Sequence, residues 1–218
     1  MSRSVLLVAT AGLVAFHGRS AEVPDQLETA AIPAVKAQEA ALLDIVESPG
    51  GAVAVGERGM ILALDADGWQ QAIAPVSSTL TAAAFSAAGV GLAVGHDGVI
   101  LRQEAPGGAW EKVADGNSLF PIVIDAARSR HKAAEAELET ATDATREDLE
   151  FALEDALFRL ETAEQSLAYG PAWPLLDVVF TDASTAWAAG AYGMLFRSGD
   201  AGATWDLVSD RLDNFEDL

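Results

Sequence analysis

Short apolar runs separated by glycine-bearing turns make up most of this chain, and one long stretch of helical character interrupts them. Three segments align on that pattern. The first runs Leu43-Asp44-Ile45-Val46, continues from Ala52 to Leu62 and reaches Trp69. The second runs from Leu80 to Phe85, continues from Gly91 to Leu101 and reaches Trp110. The third runs from Leu176 to Phe180, continues from Ala186 to Phe196 and reaches Trp205. Each holds two glycines three apart: Gly56 and Gly59, Gly95 and Gly98, Gly190 and Gly193. A G-x-x-G between two runs of strand length predicts a tight hairpin, because glycine takes positive φ without a Cβ clash. The runs are near-continuous in apolar residues rather than alternating, as expected of strands covered on both faces. The step from Gly56 to Gly95 is 39 residues, the size of a propeller blade.

The predicted fold class is mainly β: a partial β-propeller of about three BNR-like blades of antiparallel strands, with a helical insertion. The third repeat adds Ser198-Gly199-Asp200-Ala201-Gly202-Ala203-Thr204-Trp205, which meets S-x-D-x-G-x-x-W at every fixed position. This is similar to the Asp-box hairpin of BNR-type propellers. Asp200 is expected to bond the backbone two residues on, Gly202 to take the left-handed position, and Trp205 to pack the turn onto the neighbouring sheet. The second repeat keeps only Gly108-Ala109-Trp110 of this ending, and the first only Asp67-Gly68-Trp69.

Between the second and third repeats the pattern changes. From Asp125 to Tyr169 there is no Gly or Pro, and Ala, Glu, Leu and Arg dominate, which favours helix. Leu149, Leu153, Leu157, Leu160 and Leu167 recur at helical spacing as one apolar stripe. Thr145 followed by Asp148 reads as a capping-box-like start, which predicts an α-helical hairpin turning near residues 142–145. The alternative is a single helix of about 40 residues, roughly 60 Å long, with its stripe open to a partner.

The blade pattern, L-x-[DA]-[VIA]-x-[FV], then A-[VA]-G-x-x-G-x-[IL]-[LF], then a Trp-ending turn, resembles the photosystem II assembly and stability factor family of plants and cyanobacteria. The resemblance covers about residues 41–115 and 175–209. It implies a non-enzymatic scaffold, lumenal or periplasmic, that binds a nascent membrane protein. With the signal-like start, the repeat and the lack of a reactive constellation, the expected partner is a membrane protein or exporter complex whose assembly or stability the chain assists. The family's client surface is rich in arginine, so Arg58, Arg102 and Arg197, near the repeat turns, are candidate partner contacts. Three repeats do not close a ring, since propellers need at least four blades. Either the sequence is a piece of a longer product or another chain completes the ring, and open blade edges invite self-association.

Charge narrows the partners. Lys and Arg total 13 against 33 Asp and Glu, a net charge of -20. Such a surface repels phosphate backbones and anionic lipid, so neither nucleic acid nor a charged membrane surface is expected as a partner. The start of the chain has the three parts of a secretory signal: a basic Met1-Ser2-Arg3-Ser4, an apolar run from Val5 to Phe16, and small residues at Gly18 and Ser20. The run is short for a permanent anchor across roughly 30 Å of hydrocarbon. Export to the periplasm or the extracellular space is expected, with no integral membrane segment left after processing. The expected organisation is a signal over 1–20, a linker over 21–40, two blades over 41–115, the helical insertion over 122–170, the third blade with its Asp-box over 175–209, and an acidic tail over 210–218.

Chemistry is sparse. Asp-boxes also occur in sialidase-type glycosidases, so a glycan-binding or sialidase-like propeller is the alternative function. Such an enzyme needs an arginine cluster, a Tyr nucleophile paired with Glu, and an acid/base Asp. The chain has only Tyr169 and Tyr192, at the end of the insertion and in a repeat turn. His17, His96 and His131 fall in three separate regions and make no metal set. The chain contains no cysteine, which rules out disulfides and thiolate ligands. The carboxylates at Asp65, Asp67 and Asp182 lack the distal Glu of a calcium loop. The G-x-x-G pairs lie between strands, not before a helix as phosphate-binding loops do. No enzymatic activity, cofactor or metal is expected.

Overall fold

A computed structural model of the protein describes residues 25–168, 170 and 172–209. The expected signal and acidic tail, and Tyr169, lie outside the described residues. The β-strands among the described residues form three four-stranded sheets, each an antiparallel meander in chain order. The first holds β1 (Leu42–Ser48), β2 (Gly51–Gly56), β3 (Met60–Asp65) and β4 (Gly68–Ile73). The second holds β5 (Leu80–Phe85), β6 (Gly91–Gly95), β7 (Ile100–Gln103) and β8 (Trp110–Ala114). The third holds β9 (Leu175–Phe180), β10 (Ala186–Gly190), β11 (Leu195–Ser198) and β12 (Asp206–Leu207). The leading strands β1, β5 and β9 lie side by side, so the sheets fan out from them as blades, the second between the other two.

Registers repeat from blade to blade. Asp44 pairs with Val55, Ala82 with Val94, and Asp177 with Ala189, each beside a bulge. Equivalent positions can therefore be read across all three. The faces between blades hold the core. Val53, Val55 and Ile61 of the first blade meet Ala83, Leu101 and Trp110 of the second. Ala82, Leu92 and Val94 on the other side of the second blade meet Val178, Ala188 and Phe196 of the third. A smaller cluster, Ala37, Ala54, Met60 and Leu62, lies on the far side of the first blade.

The two glycines of each repeat serve different ends. The first of the pair is extended, with φ -175 at Gly56 and -176 at Gly95, so it is not there for a left-handed turn. A Cβ at Gly56 would lie 2.1 Å from the Ala41 carbonyl oxygen, and one at Gly95 2.1 Å from that of Thr79. Those carbonyls accept from the next amides, Glu57 N at 3.0 Å and His96 N at 2.8 Å. Only glycine leaves room for that closure of the turn onto the leading strand. The second glycine takes positive φ, and so does the residue before it: Arg58 (φ 55), Asp97 (φ 60) and Tyr192 (φ 58). The sequence pattern flags the glycine and misses its left-handed partner, a conformation that a non-Gly residue adopts only under constraint.

The insertion folds as the hairpin, not as one long helix: α1 (Gly116–Glu139) packs along α2 (Arg146–Ala168). It begins earlier than the expected residue 122. Asp115 caps it, accepting from Asn117 N and Ser118 N while the Ser118 hydroxyl accepts from Asp115 N. Pro121 is the sixth residue of α1, where it withholds one intrahelical N–H. The Thr145 hydroxyl turns back to bond the Thr142 carbonyl at 3.3 Å instead of closing a box onto Asp148. The face of α2 toward α1 includes Leu149, Leu153, Leu160 and Leu167 as expected, but Ala156 and Ala163 complete it. Leu157 lies off that stripe, 40% exposed.

Candidate interaction face

One end of the fan gathers the β2–β3, β6–β7 and β10–β11 turns, and the connections from one blade to the next. The turns expose Arg58, His96 and Tyr192, the last 69% accessible. They are tied together across the blades. Gly59 N donates to the Ser78 carbonyl at 2.9 Å, and the Ser78 hydroxyl donates to Asp97 Oδ2 at 2.8 Å. The connection from the first blade to the second thus locks the first two turns. From the second turn the link passes through aromatic rings. Gly98 abuts Gly116 and Phe120 at the start of α1. The Phe120 and Trp173 ring centroids are 5.4 Å apart, and those of Trp173 and Tyr192 are 4.8 Å apart. Phe120 and Trp173 are buried, so the foot of the hairpin belongs to the junction between the second and third blades rather than standing free of it. Both residues escape the repeat pattern. The available signals were the Asp115–Ser118 capping box, with Leu119 and Phe120 directly after it.

Beside this foot lies a groove of about 410 Å³ lined by Pro121, Ile124, Asp125, Arg128, Glu164 and Leu167. Arg128 bridges the helices, 2.7 Å from Glu164 and 3.0 Å from Asp125. The Glu164 bond raises its pKa further above the usual value. Farther out, Phe151 and Phe158, two turns apart on α2, are 74% and 68% exposed among the acidic Glu147, Glu150, Glu154, Asp155 and Glu161.

The arginines expected to meet a partner do not converge. Arg58 stands on the turn face. Arg102 lies in the junction between the second and third blades, donating through Nε to the Ala201 carbonyl at 2.9 Å and pairing with Glu104. Arg197 lies on the outer side of the third blade, its guanidinium 5.8 Å from the Trp187 ring centroid.

At the opposite end, the Ser198–Trp205 hairpin has a structural wiring. Gly202 N donates to Ser198 Oγ at 2.8 Å, and Trp205 Nε1 to the Gly202 carbonyl at 3.1 Å. Asp200 bonds forward to Thr204, its hydroxyl at 2.7 Å and its amide at 2.9 Å, four residues on rather than the expected two. The Thr204 hydroxyl, then its amide, hold the Asp200 carboxyl down to about 2. The turn tryptophans Trp110 and Trp205 are buried and Trp69 half-buried, consistent with packing.

Together these features define an assembly of propeller-type blades with a helical hairpin rooted in it. No family model matches the chain, and no curated protein matches it. Among solved structures it is similar to YCF48 bound to D1 peptide, at 12% identity with a TM-score of 0.45, over 77% of this chain and 40% of that one. It is also similar to YCF48 from Cyanidioschyzon merolae, at 16% identity with a TM-score of 0.43, over 78% of this chain and 40% of that one. The chain spans about two fifths of the length of each.

Proposed function

We propose that this chain is an exported, non-catalytic scaffold that holds a segment of a membrane protein or exporter complex on its turn face and assists that protein's assembly or stability. The Ser198–Trp205 hairpin, read as an Asp-box, is a structural part of the scaffold. One observation carries the reading: the exposed Arg58, His96 and Tyr192 stand on turns that are joined to one another through Ser78, Asp97, Phe120 and Trp173. A face that presents a cation, an imidazole and a ring in fixed positions needs little ordering when a peptide docks. The blade grammar of the sequence supports an assembly-factor role, and its signal-like start supports export.

Site-specific photocrosslinking tests the reading. A crosslinker at Tyr192 or Arg58 is expected to give adducts with one membrane protein during its synthesis. The same group at Ala203, on the opposite end, is expected to give none. Adducts of equal yield from both ends, or none from the turn face, would contradict the proposal. N-terminal sequencing of the exported chain checks the processing, with a start at or just after Ser20 expected.

A further inference from the structure

Among the described residues, the blades at either end of the fan each have one face with no neighbouring blade. On the first blade, Ala37 and Ala40 cover Ala54, Met60 and Leu62 on this face, while Ile45, 62% exposed, and the half-buried Trp69 stay open along a groove of about 440 Å³. On the third this face carries Val179, 51% exposed, with Trp187 and Arg197. The repeat registers say what each face is equivalent to. Ile45 stands where Ala83 and Val178 stand in the other blades, and both of those face a preceding blade. Trp187 and Arg197 stand where Leu92 and Arg102 stand, and those face a following blade.

Two side chains that make polar contacts across the existing junctions have equivalents on the open face of the third blade. Asp44 accepts from Ile45 N at 2.8 Å through Oδ1 and reaches across to Ala83 N at 2.9 Å through Oδ2. Its equivalent, Asp177, repeats the first bond with Val178 N at 2.8 Å and is exposed. Arg102 crosses from the second blade to the β11–β12 turn of the third. Its equivalent, Arg197, is exposed on the open face. The turn matching β11–β12 in the first blade is β3–β4, and it carries two exposed carboxylates, Asp65 and Asp67. The open face of the third blade thus presents Arg197 and an apolar patch, with the exposed Asp177 and Asp206 beside them, and the open face of the first presents an apolar patch with Asp65 and Asp67 at the place that matches the Arg102 contact.

We propose that a second copy of this chain docks on these faces, the third blade of each copy against the first blade of the other, so that two three-blade fans close on each other through two equivalent junctions. A two-fold arrangement of that kind leaves neither face uncovered. The pairing is independent of which client the turn face holds.

Mass measurement across concentration tests it. The processed chain, lacking residues 1–20, is expected to sediment at micromolar concentration with twice the mass of one copy. Arg197→Glu alone puts like charges in both junctions, and so does the pair Asp65→Lys with Asp67→Lys. Each variant is expected to weaken dimerisation by about 100-fold or more, the usual scale for a close charge pair turned repulsive. Mixing the two variants restores both junctions, one with the new charges and one with the native ones, and is expected to bring the dimer back within about tenfold of the native affinity. That recovery also shows that both variants are folded. A native chain that stays monomeric at micromolar concentration overturns the proposal, whether a further blade, another protein or solvent covers these faces. So does a dimer that both charge variants leave intact, or a mixture that fails to recover.

Discussion

The second blade and the third share one strand pattern but not one environment. In the second blade every residue of β6 is buried, and in the third β10 is buried only at Ala186 and Ala188. The first blade shows the mirror case: β1 has no fully buried residue, although its apolar run reads like that of β5. The runs encode a face for a neighbouring blade on either side, and among the described residues only the middle blade has both. Apolar side chains left at the ends, such as Ile45 and Val179, are junction residues awaiting a junction. A solvated sheet face would show alternating polar positions there instead.

Substitutions can break that comparison at several strengths. Phe196, fully buried between the second and third blades, is expected to cost about 3–5 kcal/mol when replaced by Ala, from lost burial and the cavity left behind. Val179→Ala on the open face of the same sheet is expected to cost the monomer less than about 1 kcal/mol. Urea unfolding of dilute protein checks the pair. Next comes Gly202→Ala. Gly202 has φ 86, and a Cβ there would lie 2.3 Å from Leu92 Cδ2 across the junction. Strain and overpacking together predict a loss of about 2–4 kcal/mol. At Gly68 (φ 104), on the open side of the first blade, an added Cβ meets nothing within 4 Å, and only the backbone term of about 1 kcal/mol is expected. Similar losses at the two sites would deny that the Gly202 turn is clamped by its neighbour.

Asp115→Ala removes the cap that roots the hairpin in the same junction, and about 1 kcal/mol should go with it. Helical signal and stability are expected to fall together, because Leu119 and Phe120 are core residues. The smallest effect is in acid. Asp200, at about 2 in the folded chain, lies below the ordinary carboxylate value near 4. A depressed folded pKa adds stability above the unfolded value, and that contribution is lost as pH falls from about 4 toward 2. Asp182 is held at about 2 as well, first by the Ser184 amide and then by that of Thr185. Its turn accepts Ala201 N through the Ser184 carbonyl, so both carboxylates serve the same corner of the third blade. Trp205 fluorescence should follow this loss, and Asp200→Asn should flatten the part due to Asp200.

The blades and their order were legible in the sequence because strand runs, glycine spacing and a terminal tryptophan are local signals that repeat. The hairpin's turn was legible for the same reason, through a Gly- and Pro-free stretch with a leucine stripe. What lies across elements was not legible. Nothing in the local pattern says that Phe120 and Trp173 meet Tyr192, or that Ser78 joins two turns. Pro121 masked the true start of α1, since proline reads as a breaker and the helix nonetheless runs through it. The three arginines looked alike as turn neighbours. The pleat sends Arg102 into one junction and Arg197 onto an open face, while Arg58 stays on the turn face.

The central claim is that the two ends of the fan are the two halves of one more blade junction. The absence of native cysteine makes an engineered disulfide its most direct test. Asp44 and Ala83 are partners across the first junction, and their equivalents on the open faces are Asp177 and Ile45. A chain with Asp177→Cys and Ile45→Cys, mildly oxidised at micromolar concentration, is expected to run on a non-reducing gel as a covalent pair. Either single-cysteine chain is expected to stay monomeric, because each junction joins unlike faces. A double-cysteine chain that remains monomeric, or single-cysteine chains that link just as readily, would contradict the claim.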